Sequence, residues 1–170
     1  EQEGTYPLPE AQLDRFMMHV NVDYPNAESE LQILELVENE ARDIDKFAFE
    51  SLSQIDLFQA RDDILKLHMA DAIKNYIVQL VMATRQPQVY SNELAGLIAV
   101  GVSPRATIAI SRCARAHAWL HGKDFVSPDD VQAVVHDVFR HRLLLNFEAD
   151  ARNIKPDDIT DQILSFVPVT

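Results

Sequence analysis

The sequence predicts a mainly α fold, a helical bundle preceded by one short strand. Three observations carry this. Apolar residues recur at steps of three and four through much of the chain. Serine or asparagine caps followed by proline or acidic residues mark several helix starts. Only Met17 to Val22 alternates apolar and polar as a half-buried strand does. With 170 residues, the chain can bury one good core, or one domain and part of another.

Pro9 to Phe16 suits a short helix, with proline at its first turn and Glu10 near the positive end of its dipole. Met17 to Val22 then reads as a strand ended by Pro25, and because a lone strand is not stable, its partners are expected outside this chain. Asn26 is the expected N-cap of a helix whose Ala27, Leu31, Leu34 and Val37 share a face, while Glu28, Glu30, Glu35 and Glu38 cover the rest. The connector from Asn39 to Ser53 fits no single template, and a further helix is expected from about Gln54 to Leu65.

The clearest helix carries Met69, Ile73, Tyr76, Ile77, Leu80 and Val81, and Gln86-Pro87 ends it. Tyr90 to Gly101 is a weaker helical patch. Ser103 and Pro104 offer an N-cap and a first-turn proline for an alanine-rich helix to about Leu120, apolar on most sides and so expected at the centre of the bundle. Gly122 stops it. Ser127 and Asp130 form a capping box for a helix that buries Val131, Val134, Val135, Val138 and Phe139. An extended segment, Arg142 to Phe147, leads to a last helix from about Pro156, with Ile159, Ile163 and Phe166 facing inward. No internal repeat or low-complexity segment is visible.

Fifteen Lys and Arg against 27 Asp and Glu give a net charge of -12 without a long acidic run. Bulk attraction to nucleic acid or to an anionic membrane is therefore not expected, and any basic site has to be local. The single cysteine, Cys113, cannot form an internal disulfide and favours a reducing compartment. No signal peptide or long apolar run is apparent, so a cytoplasmic location is expected. The chain opens without methionine in a loop punctuated by Gly4, Pro7 and Pro9, as a piece of a longer protein would.

His117 and His121 stand four apart on a helix and could share a metal, but no third ligand is evident; two histidines at the surface end of a helix are the alternative, and no metal is expected. His136 and His141, five apart, read as structural, and Cys113 as an inert core thiol. Of the acidic pairs Asp62-Asp63, Asp129-Asp130 and Asp157-Asp158, the last two fall in first helical turns, where negative charge is favourable. None of the four glycines opens a phosphate-cradling loop, so the chain alone is not expected to hydrolyse a nucleotide.

Arg105 is the exception among first-turn residues. A cation there opposes the dipole by about 0.3–1 kcal/mol, a cost that a docked anion offsets. Pairing with a carboxylate such as Glu93 serves equally well at this stage. Arg15 poses the same question beside the expected strand, with a surface pair to Asp14 or Glu10 as its alternative.

The stretches "EGTYPLPEAQLDRF" and "GVSPRATIAISRCARAHAWLHGKDFVSPDDV", together with "YIVQLVMATRQP" and "DVFRHRLLLNFEA", resemble the MoxR family of AAA+ ATPases in order and spacing. The resemblance implies residues 1–25 as a remnant of the α/β ATPase core, including its last strand, and 26–170 as the helical lid domain, with the boundary between 23 and 50. It implies that Arg15 is the arginine finger, acting in trans, and Arg105 the sensor 2 arginine, with Ser103 and Pro104 beside it at the nucleotide. Walker A and Walker B lie outside this stretch. The resemblance further implies ATP and magnesium in the full-length protein but none in this chain alone, and a homo-oligomeric ring, a hexamer. It implies chaperone-like action on protein clients, von Willebrand factor A domain proteins among them. A freestanding acidic helical module that binds a protein partner without nucleotide chemistry is the alternative.

Overall fold

The computed structural model describes residues 8–42 and 51–169; the first residues of the chain and the middle of the 39–53 connector lie outside the described residues. The described residues divide into two units, one formed by those up to His19 and those from Arg61 onward, the other by Val20–Ala60.

The smaller unit holds α2 (Ala27–Ala41) and the start of α3 (Gln54–Lys66). Asn26 caps α2 as expected, its side-chain oxygen accepting from the Ser29 amide at 2.8 Å. The apolar stripe of Leu31, Leu34 and Val37 is exposed, and no α2 residue is buried.

The larger unit starts with α1 (Glu10–Leu13), a single turn, shorter than the Pro9 to Phe16 helix expected. It continues through α4 (Asp71–Arg85), α5 (Asn92–Ala95), α6 (Pro104–Leu120), α7 (Pro128–Phe139), α8 (Phe147–Ala151) and α9 (Pro156–Phe166). Its core lies where α6 packs on α4 and α7, with α9 closing against α4 and α7. Ala106, Ala109, Ala114 and Ala118 on the buried side of α6 let the neighbouring helices come close, and Ile77, Leu80, Ile110, Val135, Phe139 and Ile163 fill the space between. The opposite side of α6, carrying Arg105, Ile108 and Arg112, faces solvent.

The capping box of α7 is present and does more than cap. The buried Asp130 carboxylate accepts from the Ser127 amide (2.8 Å) and hydroxyl (2.7 Å) and from Lys123 Nζ (2.8 Å), and bonds His117 Nδ1 (2.8 Å). Burial alone would raise its pKa, but these partners hold it far below the ordinary carboxylate range. The end of α6 and the start of α7 are thereby locked together.

Four expectations need correction. Met17 to Val22 forms no strand. Its alternation has no ladder to join among the described residues, and of its apolar side chains Met18 packs against the core while Met17, Val20 and Val22 stay exposed. One backbone bond, from the His19 amide to the Asp137 carbonyl at 2.8 Å, fastens the end of this segment to α7. The Tyr90 to Gly101 patch is helical only over α5, which ends at Gly96; Ile98–Val100 forms β1, antiparallel to β2 (Leu144–Leu145), with Ile98 opposite Leu145 and Val100 opposite Leu144. The extended Arg142 to Phe147 segment turns into α8 where Asn146 caps it, its side chain accepting from the Ala149 amide at 3.1 Å. Phe166 is 41 % exposed because it is the last residue of α9, and Val167 takes the inner place.

Gly101, between β1 and α6, sits against the end of α4. A Cβ there would stand 2.5 Å from the Thr84 carbonyl oxygen and 2.9 Å from the Arg85 nitrogen. The contact is fixed on both sides: Thr84 Oγ1 donates to the Val81 carbonyl (2.7 Å) and accepts from the Val102 amide (3.1 Å), and Arg85 Nε donates to the Val102 carbonyl (2.8 Å). Gly101→Ala is expected to lower stability by about 1–3 kcal/mol, because rigid backbone has to move. Urea unfolding followed by circular dichroism checks this, and an unchanged midpoint would show that the loop yields freely.

Candidate functional site

Serine, proline and arginine in a row place a cation at the start of α6. Ser103 takes the extended conformation of an N-cap (φ -76°, ψ 169°), its hydroxyl accepting from the Arg105 amide at 3.2 Å, and Pro104 sets the first turn. From Arg105, helical spacing carries Ile108 and Arg112 along one face at three and seven residues, with the buried Ala109 at its edge. That face forms one wall of a cleft of about 410 Å³, whose other walls are Asp14, Arg15 and Met17 just after α1 and Arg142 just after α7. Four guanidinium groups and one carboxylate line it. In a chain of net charge -12, this is a basic site of the local kind that its composition leaves room for.

Arg142 organises the cleft. Its side chain is only 2 % exposed, and each of its five N–H donors has an acceptor. Nε donates to Asp14 Oδ1 (3.1 Å), Nη1 to the Val138 (2.6 Å) and Met17 (3.2 Å) carbonyls, and Nη2 to the Asp14 carbonyl (3.1 Å) and the Phe16 carbonyl. Asp14 also accepts from Ser103 Oγ (2.8 and 2.9 Å to its two oxygens) and, through Oδ2, from Arg105 Nη1 (2.9 Å). Burial would raise the Asp14 pKa, but hydrogen bonds from Arg105, Ser103 and Arg142 outweigh it and hold the carboxyl below its ordinary value.

Arg15 and Arg105, singled out in the sequence for separate reasons, thus line one cleft. Arg105 pairs with Asp14, not with Glu93, which instead accepts from Arg152 at 2.7 Å. Its side chain remains 55 % exposed. Arg15 is exposed and, among the described residues, makes no ion pair with Asp14 or Glu10. Ser103 borders the neighbouring hollow with Asp14 and His141, its hydroxyl engaged by Asp14; Pro104 is exposed and brings no donor. Arg112, Arg142 and Asp14 were not anticipated as site residues. Arg112 carried a signal, the seven-residue step from Arg105, whereas Arg142 and Asp14 meet across 128 residues and left none.

The remaining candidates have structural employment. His117 bonds Asp130, and His121 Nδ1 donates to the His117 carbonyl at 2.8 Å, the two rings lying 4.2 Å apart. Among the described residues, no three metal-ligating side chains gather. His136 bonds Asp161 (2.8 Å), and His141 Nε2 donates to the Phe16 carbonyl (3.2 Å). Cys113 is buried, which pushes its thiol pKa up. No helix among the described residues is long and apolar enough to cross a membrane.

A family model described as the AAA lid domain matches residues 94–163. The chain is similar to Chaperone MoxR1 of Mycobacterium tuberculosis, 39 % identical over 98 % of this chain and 44 % of that protein. It is 38 % identical to the uncharacterized protein YeaC of Bacillus subtilis, over 99 % of this chain and 50 % of the relative. A solved structure of a candidate ATPase from Cytophaga hutchinsonii is 40 % identical, with a TM-score of 0.89 over 100 % of this chain and 51 % of the other. The chain therefore spans about half the length of these relatives.

The Asp14 network makes a pH prediction. A carboxyl held below its ordinary value of 3.8 stabilises the fold above that value, and the contribution is lost as pH falls through the folded-state pKa. The stability gap between the natural protein and Asp14→Asn should be constant from about pH 7 to 5 and shrink below about pH 4. Urea titrations across that range measure it, and a gap that persists undiminished to pH 3 would contradict the network as drawn.

Proposed function

Because the chain belongs to the MoxR family of AAA+ ATPases, we propose that it supplies the helical lid and two phosphate-contacting arginines, Arg15 and Arg105, to an enzyme that couples ATP hydrolysis to remodelling of partner proteins. The observation that carries this is the convergence of Arg15 and Arg105 on one exposed cleft lined by four guanidinium groups and a single carboxylate, Asp14.

Cleavage of the terminal phosphoryl bond builds negative charge on its oxygens, and preorganised guanidinium groups stabilise that charge. Arg105 is suited to the exchange this requires. Its guanidinium is half-exposed where it meets the less exposed Asp14, so solvent screens the pair on the Arg105 side and its worth is on the order of 1 kcal/mol. When Arg105 turns to a phosphate, Asp14 keeps Arg142 and Ser103 and is not left unpaired. The phosphate then takes the place of Asp14 in offsetting the unfavourable first-turn cation. Arg112, two turns further along α6, extends the basic wall for the rest of a polyphosphate.

Arg15 serves as the arginine finger and Arg105 as sensor 2. A finger that reaches a neighbouring subunit would take Arg105 to the same nucleotide, since both line one cleft. Asp14 spends its oxygens on three donors, so the cleft suits phosphate and not magnesium. Magnesium accompanying ATP would be held by residues beyond this stretch, as would the phosphate-cradling loop, and the 170-residue chain alone should not turn over ATP. The working assembly is a homo-oligomeric ring acting on protein clients in the cytoplasm, von Willebrand factor A domain partners among them.

In the full-length protein, Arg15→Ala should lower ATP turnover at least about 100-fold and Arg105→Ala at least about tenfold, each with the helical circular dichroism retained. Normal turnover in either variant would remove that residue's role. Mixing Arg15→Ala subunits with subunits that keep Arg15 but cannot bind ATP tests the trans geometry. Restored turnover supports a finger acting across the interface, and none places it within one subunit.

A further inference from the structure

We infer that Arg142 is a positioning residue for Arg15, a brace that makes the Arg15 segment and the lid move as one piece. The inference rests on the reading of Arg15 as a phosphate-contacting residue.

The Arg15 segment has little of its own to hold it. The α1 turn buries no residue, and Phe16 and Met17 remain exposed. Met18 packs against the lid core three residues further on, but the backbone on either side of Arg15 is held by polar bonds from the lid. Arg142 Nη2 grips the carbonyls of Asp14 and Phe16, the residues on either side of Arg15, while Nη1 takes the Met17 carbonyl and Nε the Asp14 carboxylate. His141 adds its bond to the Phe16 carbonyl, and Arg140 Nη1 donates to the His19 carbonyl. Arg142 is itself fixed by Nη1 on the Val138 carbonyl and by burial at the end of α7, the helix packed on Arg105-bearing α6. The residues up to His19 accordingly belong to the same unit as the lid.

The consequence is mechanical. A rotation of the lid carries Arg15 with Arg105 and keeps their separation constant, so that the two arginines arrive at a phosphate together or leave it together. Charge alone does not accomplish this. A lysine at 142 would neutralise Asp14, yet its single nitrogen cannot span carbonyls on both sides of Arg15 as the planar guanidinium does.

The test is Arg142→Lys in the full-length protein, read by two measurements. Trypsin cleavage of the Arg15-Phe16 bond, quantified by mass spectrometry, reports how firmly that backbone is held without any need for activity. It should be at least about tenfold faster than in the natural protein, while ATP turnover at saturation drops at least about tenfold with KM for ATP within about twofold. Unchanged cleavage after Arg15, or full turnover in Arg142→Lys alongside an inactive Arg15→Ala, would overturn the brace and leave Arg142 as a counter-ion to Asp14. If Arg15→Ala is itself fully active, the reading of Arg15 fails and the cleavage rate still decides the brace. Should Arg142→Lys not fold, the natural protein provides the answer. Its cleavage after Arg15 should proceed no faster than unfolding of the lid, and rapid native-state cleavage there would refute the inference.

Discussion

A guanidinium taken out of water has to be met on every side, and that demand at Arg142 organises the cleft. Its five donors reach four backbone carbonyls and one carboxylate, so burying this cation forces the chain on either side of Arg15 against the end of α7. Asp14, the required counter-charge, lies beside the first turn of α6 and there collects Ser103 and Arg105 as well. One buried charge thereby sets the positions of two exposed ones.

The division between buried and exposed partners gives the site its chemistry. Arg142 cannot leave Asp14 without a large desolvation penalty, whereas Arg105 can do so at little cost, because water is already in contact with it. In the function we propose, a carboxylate that keeps Arg142 and Ser103 can release Arg105 to a more strongly charged anion. The AAA lid domain around it supplies the rigid support: α6 is locked to α7 through Asp130, and Gly101 lets the loop before α6 lie directly on the end of α4.

Sequence pattern identified the large helices well, because caps and stripes act locally. Pro104, the Ser127 and Asp130 box and the Val131 to Val138 stripe fall where the helices begin and bury. It failed for elements whose state depends on distant partners. The alternation of Met17 to Val22 records side-chain polarity but cannot supply a ladder, and Ile98 to Val100 is a strand only because Leu144 and Leu145 lie beside it. Arg105 stood out because its position opposed the helix dipole, a local anomaly, and Arg15 through the motif it resembled. The bond between Asp14 and Arg142 joins residues 128 apart in the chain and has no local signature.

The proposed function requires that Arg15 and Arg105 address the phosphates of one nucleotide. A structure of the full-length oligomer with a non-hydrolysable ATP analogue tests it most directly. Both guanidinium groups should lie within about 3 Å of phosphate oxygens of the same nucleotide, with Asp14 still bonded to Arg142. Arginines reaching two different nucleotides, or Arg105 remaining on Asp14 with the nucleotide bound, would contradict the account.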